Sequence, residues 1–217
     1  MKVAVVKYNA GNIFSVVHAL QRMGVEPLLT DDAAELRSAD RVIFPGQGEA
    51  SNAMHYLRER GLDKTILSLT MPVLGICIGQ QLMCRHSEEG DVDCLGIFDV
   101  EVKRFVPLRH EEKIPHMGWN SITAPSPLPF RGSTASANSI QLFTAPPQRG
   151  SGEGADPFVY FVHSYYVPVC KHTTAVTEYI HPFSAAMHKD NFYATQFHPE
   201  KSGAVGQQIL RNFLDIP

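Results

Sequence analysis

The sequence predicts an α/β fold: a central mixed, mostly parallel sheet flanked by helices, with an additional antiparallel β portion in the second half. Three observations lead there. Up to about residue 90, short β-branched runs alternate with amphipathic segments, the pattern of parallel strands joined by helices. From residue 96 onward, strand-like runs follow one another with few helical segments between them, which suits antiparallel or mixed pairing. A last amphipathic segment then carries apolar residues back toward the sheet.

Taken in order, "KVAVV" (2–6) reads as the first strand. The segment "NIFSVVHALQRMG" places Ile13, Val16, Val17, Leu20 and Met23 on one helical face, with Gly24 as the stop. "RVIF" (41–44) is a second buried strand, ended by Pro45 and followed by a helix from about Glu49 to Arg60. "PVLGI" (72–76) is a third, and "GQQLMCRH" after it is expected to continue as a helix that packs Leu82 and Met83 on the sheet. In the second half, strands are expected at 96–106, 157–169, 172–180 and 192–198. The final helix, "SGAVGQQILRNFLDI", carries Ile209, Leu210, Phe213 and Leu214. Residues 125–156 are rich in Pro, Ser and Gly, with only "SIQLF" able to form a short strand. They are expected to be a surface excursion remote from Cys77, within a single domain spanning 1–217.

Composition narrows the function. A chain of 217 residues with 44% hydrophobic residues can bury a substantial core. A net charge of −3 gives no general attraction to nucleic acid or to an anionic membrane. No run approaches the roughly 20 apolar residues of a membrane span, and the N-terminal apolar run is too short for a signal segment; a cytoplasmic location is expected. The four cysteines lack CxxC pairing and the ten histidines lack zinc-site spacing, so free thiols and neither a metal nor a cofactor are expected.

Chemistry concentrates in three short stretches. Gly75-Ile76-Cys77-Ile78-Gly79 has the form of a nucleophile elbow and lies between a strand and a helix, as that motif requires. Amides and the dipole at a helix start favour a thiolate. By itself the elbow leaves Cys77 either a nucleophile or a buried structural cysteine. "QFHPEKS" (196–202) supplies a base, His198, at a strand end, with Glu200 able to reach it from a turned backbone. "FPGQGEA" (44–50) offers a loop in which Gly46 and Gly48 let backbone approach a ligand, and the Ile78 N–H would be a second oxyanion donor.

"PGQG", "GICIGQQL" and "FHPEKS", in that order, resemble the class I glutamine amidotransferases, which have a flavodoxin-like α/β fold; the resemblance covers nearly the whole chain. It implies Cys77 as nucleophile, His198 as general base and Glu200 as the group orienting it. It also implies that Gln81, the Gly48 loop, Ser164 and Tyr165 hold L-glutamine. "YNAGN" (8–12), "PHMGWN" (115–120) and "YFVHSYY" (160–166) are similar to the branch of glutaminase subunits that pass ammonia to a (β/α)8-barrel cyclase in histidine biosynthesis. For that heterodimer the resemblance places Asn12, Trp119, Asn120, Tyr160 and Lys201 near the partner or its channel. Gln47 departs from the apolar residue usual in this loop. A glutaminase serving another synthase, or a non-catalytic subunit of the same fold, stays open at this point.

Overall fold

The computed structural model describes residues 1–8, 13–46, 48–124 and 156–217. Asn12, Gln47, "SIQLF" and nearly all of the 125–156 segment therefore lie outside the described residues. A seven-stranded sheet organises the molecule. Its parallel part comprises β1 (Val3–Val6), β2 (Leu28–Thr30), β3 (Arg41–Phe44) and β4 (Val73–Ile76), joined by a strand from near the C-terminus, β13 (Phe192–Thr195). Two antiparallel strands, β11 (Thr173–Tyr179) and β12 (His181–Lys189), extend it in the order β11-β12-β13-β4-β3-β1-β2.

The central strands are apolar on both faces because both faces are covered. Val3, Val5, Ile43 and Leu74 point to the side packed by α1 (Ile13–Arg22) and the final helix, α6 (Gly203–Leu214). Ala4, Val6, Val42 and Phe44 face the opposite layer. That layer is built from α2 (Ala33–Arg37), α3 (Ala50–Glu59), α4 (Leu62–Leu67) and α5 (Ile78–Leu82). The helical face expected of α1 is present: Ile13, Val16 and Leu20 are buried, while Val17 and Met23 pack at its margin. Gly24 has the left-handed φ of 79° that ends it.

Two smaller sheets complete the β portion. One has the order β10-β7-β5-β6, made from β5 (Cys84–Ser87), β6 (Val92–Asp93), β7 (Phe98–Arg104) and β10 (Tyr165–Tyr166). The other is an antiparallel ribbon of β8 (His116–Ser121) and β9 (Phe158–His163).

Several expectations need correction. The helix after Cys77 stops at Leu82, and residues 84–87 form a strand because the backbone of Cys84–Ser87 pairs in parallel with β7. The strand expected at 192–198 ends at Thr195 and runs parallel to β4. The run 157–169 breaks at Ser164 into β9 and β10, which join different sheets. Short β2, α2 and α4, and the strands β8 and β12, were not expected; Gly118 and Pro182 interrupt the strand pattern in the last two.

Candidate active site

Cys77 occupies the single residue between β4 and α5 with φ 54° and ψ −106°, a conformation that costs a non-glycine residue about 1–3 kcal/mol. Neighbouring structure enforces it. The Cys77 N–H donates to the Thr195 carbonyl at 2.7 Å, fastening the elbow to β13. A Cβ on Gly79 would fall on the Phe44 carbonyl, and one on Gly75 would lie 2.9 Å from Gly79 backbone. Both flanking glycines are thus required by close approach of the chain to itself. Since α5 has only five residues, its dipole is small, and side chains must do most to hold a thiolate.

His198 follows β13, and its N–H donates to the Tyr160 carbonyl of β9 at 2.9 Å. Pro199 then opens a 3-10 turn, Pro199–Lys201, which brings Glu200 back. His198 Nδ1 and Glu200 Oε1 lie 2.7 Å apart, and both side chains are only 1% exposed. Acceptor carboxylate on Nδ1 fixes the tautomer and leaves Nε2 for chemistry. Nε2 is buried with no hydrogen bond among the described residues. The Cys77 sulfur lies close enough to act on it by charge. Burial alone would lower the His198 pKa, but the Cys77 charge and the Glu200 hydrogen bond outweigh it and push it up to about 10. This pairing suits a thiolate beside an imidazolium.

The sulfur opens on a cavity of about 350 Å³ lined in part by Gly48, Ile78, Gln81, Ser164 and Tyr165. All four substrate-binding candidates from the motifs other than Gly46 therefore meet at Cys77 together with Ile78. Gly46 lies beneath, where a Cβ would overlap the Ile78 side chain and the Tyr8 hydroxyl. Tyr8 donates to the Pro45 carbonyl at 2.5 Å and anchors that loop; burial and then the Cys77 charge raise its pKa. Gln81 donates to the Tyr165 carbonyl and to Gln196 Oε1, each at 3.0 Å.

Three groups at the site had no role in the sequence reading. Glu89, in the turn after β5, lines the cavity and accepts from the Ala50 N–H at 3.1 Å; burial raises its pKa. The only signal was the acidic pair before Gly90. Gln196 is fully buried against Cys77, and only its adjacency to the His198 motif hinted at it. His163 and His116 form a neutral pair, Nε2 to Nδ1 at 3.0 Å, with His163 Nδ1 donating to the Tyr165 carbonyl at 2.7 Å. Burial holds His116 down to about 4 and His163 to about 3.

The partner candidates divide. Trp119 is 55% exposed and stacks edge-on with Tyr160 across the β8–β9 ribbon. Lys201 is half-buried in the 3-10 turn and makes no ion pair among the described residues. Asn120 instead turns inward, donating to the Glu178 carbonyl at 3.0 Å and accepting from the Ser121 N–H.

A strained cysteine, a carboxylate-oriented histidine and an adjacent cavity on an α/β sheet are the parts that an acyl-transfer site requires. The glutamine amidotransferase class-I family model matches residues 4–216, and the chain belongs to that family. It is 61% identical over 216 residues to the imidazole glycerol phosphate synthase subunit HisH of Bacteroides thetaiotaomicron, covering 100% of both chains. It is also 42% identical over 217 residues to the subunit of the same name in Pectobacterium atrosepticum, again covering 100% of both. A solved glutamine amidotransferase superposes with a TM-score of 0.67 at 17% identity, over 98% of this chain and 97% of that one, a likeness of fold. Among the described residues, no helix is long and apolar enough to cross a membrane.

Proposed function

We propose that the chain is the glutaminase subunit of an imidazole glycerol phosphate synthase, acting as one amidotransferase domain over residues 1–217. It hydrolyses L-glutamine and supplies ammonia to a cyclase subunit for histidine biosynthesis. The observation that carries the reaction is the buried His198–Glu200 pair beside the strained Cys77 at the cavity. The thiolate attacks the glutamine carboxamide carbon, and the oxyanion forms against the Ile78 N–H and the Gly46–Gly48 loop. His198 delivers its proton to the departing ammonia, leaving a γ-glutamyl thioester on Cys77. Water, deprotonated by His198, then displaces the thiolate and yields glutamate. Glu89, a carboxylate on the cavity wall, suits the α-ammonium group of the substrate.

The partner in this reading is a (β/α)8-barrel cyclase in the cytoplasm. Support comes from the outer face of the ribbon, where Met117, Trp119 and Phe158 are each more than half exposed and share one side with Tyr160. Apolar aromatic surface of this kind is typical of an interface core. Lys201, Asn120 and Asn12 are the further residues that this reading assigns to the partner. The test is glutamate release by the chain assembled with a cyclase subunit. Wild type should turn over glutamine faster when the cyclase is loaded with its nucleotide substrate, and Cys77→Ala should release none. Turnover that survives Cys77→Ala would remove the nucleophile from this account.

A further inference from the structure

Gln196 follows β13 and is completely buried. Its carboxamide lies between two groups: Gln81 Nε2 is 3.0 Å from Oε1, and Cys77 Sγ is 3.6 Å from Nε2. The two ends of an amide have nearly the same shape, so its orientation is read from its partners. Here a backbone carbonyl decides it. The Gln81 end that lies 3.0 Å from the Tyr165 carbonyl oxygen faces an atom that only accepts, so that end is the NH₂. The same NH₂ meets Gln196, which must answer with its oxygen. The Gln196 NH₂ is therefore turned to the sulfur.

We propose that Gln196 is a catalytic residue of this site, donating an amide N–H to Cys77 Sγ and stabilising the thiolate before attack and again when it leaves. This rests on the reading of Cys77 as the nucleophile. The sulfur also lies 3.9 Å from the Val162 carbonyl, which can accept from a thiol but repels a thiolate. Gln196 opposes that repulsion whenever the sulfur is a thiolate, because an amide does not titrate. His198 is an imidazolium at those same two moments and shares the task, but its charge comes and goes with the proton it passes to ammonia and takes from water, whereas the amide dipole is constant. No proton leaves Gln196. The sulfur lone pair forms the S–C bond on attack and departs with that pair when water has added.

The experiment follows iodoacetamide alkylation of Cys77 against pH, read on the Cys77 peptide by mass spectrometry, with the chain assembled with its cyclase subunit. In Gln196→Leu the midpoint should move up by about one pH unit, the equivalent of a lost hydrogen bond to a charged group. Glutamine turnover at neutral pH should fall about tenfold with it. In Gln196→Glu, which keeps the Gln81 contact and sets an anion against the sulfur, the midpoint should move further. Wild-type midpoints in both variants, with melting temperatures close to wild type, would overturn the proposal. Should the variants not fold, the wild-type chain decides. The Gln196 side-chain amide resonances should titrate together with Cys77 alkylation and lose that titration in Cys77→Ala; resonances flat across that range would refute the contact. Glutamine turnover surviving Cys77→Ala would instead sink the glutaminase reading, whereas a dead Cys77→Ala with unmoved midpoints sinks the role of Gln196 alone.

Discussion

Glu89 is a carboxylate on the cavity wall, raised by burial and by its neighbour Glu49 and partly held by the Ala50 amide. A substrate ammonium placed there would make a charge-assisted hydrogen bond, worth about 1.5–3 kcal/mol. Glu89→Gln should accordingly raise KM for glutamine roughly 10- to 100-fold and leave kcat close to wild type, checked by steady-state glutamate release. The pH dependence has a definite sign. Protonating Glu89 weakens glutamine binding, so KM should rise as pH falls, on a limb above the ordinary carboxylate range, and the variant should lack that limb. Nothing in "HSEEGDV" distinguishes Glu89 from Glu88, because the difference lies in burial. Glu88 pairs at the surface with Lys103, while Glu89 is drawn against the start of α3. Cys77, His198 and Glu200 were legible because their chemistry demands fixed residue types beside glycine and proline. Gln196 was not, because an amide that donates to sulfur has no motif of its own.

At the scale of elements, the ribbon illustrates how position on a strand divides labour. Residues His116, Asn120, Val159, Phe161 and His163 face inward, while Met117, Trp119, Phe158 and Tyr160 face outward. The inner face carries a linked set: Asn120 lies 3.5 Å from His116, His116 meets His163, and His163 holds the Tyr165 carbonyl that also receives Gln81. Each ring is neutral here and would be protonated in the unfolded chain below about pH 6.5. Both folded pKa values are depressed, to about 4 and about 3. The unfolded chain therefore binds more protons between those values and 6.5, and stability should fall as pH drops through that window. Urea unfolding from pH 7 to pH 4.5 should show this loss, and His116→Phe, which keeps the stack on Tyr179, should reduce its slope by about one proton. Alternation predicted β9; it missed β8, where Gly118 and polar Asn120 interrupt the apolar period. The register, rather than either strand's own composition, makes the pair.

For the molecule as a whole, three of the five parallel strands (β1, β3 and β4), α1, α3 and the last helix were readable because continuous apolar strands and a 3.6-residue period leave strong patterns. The strand order was not. Placing β13 beside β4 brings residues more than a hundred positions apart into register, Thr195 against Ile76, and it is this crossover that sets His198 next to Cys77. On the outer face, Trp119 is the large exposed aromatic most suited to anchor a partner. Trp119→Ala should weaken association with a cyclase subunit about 30-fold or more, equivalent to about 2 kcal/mol, measured by calorimetry, with the chain's own melting temperature little changed. One more consequence comes from the free edge of β9. Its inner edge is laddered to β8, and its outer edge holds the loop of the base twice: the Tyr160 N–H donates to Ser202 Oγ at 2.9 Å, and the Tyr160 carbonyl accepts from the His198 N–H at 2.9 Å, while within the loop Ser202 Oγ donates to the His198 carbonyl at 2.7 Å. Tyr160 thus joins the outer face of the ribbon, through its side chain, to the loop of the base, through its peptide. A displacement of the ribbon would therefore carry the backbone of His198 with it, through those same bonds.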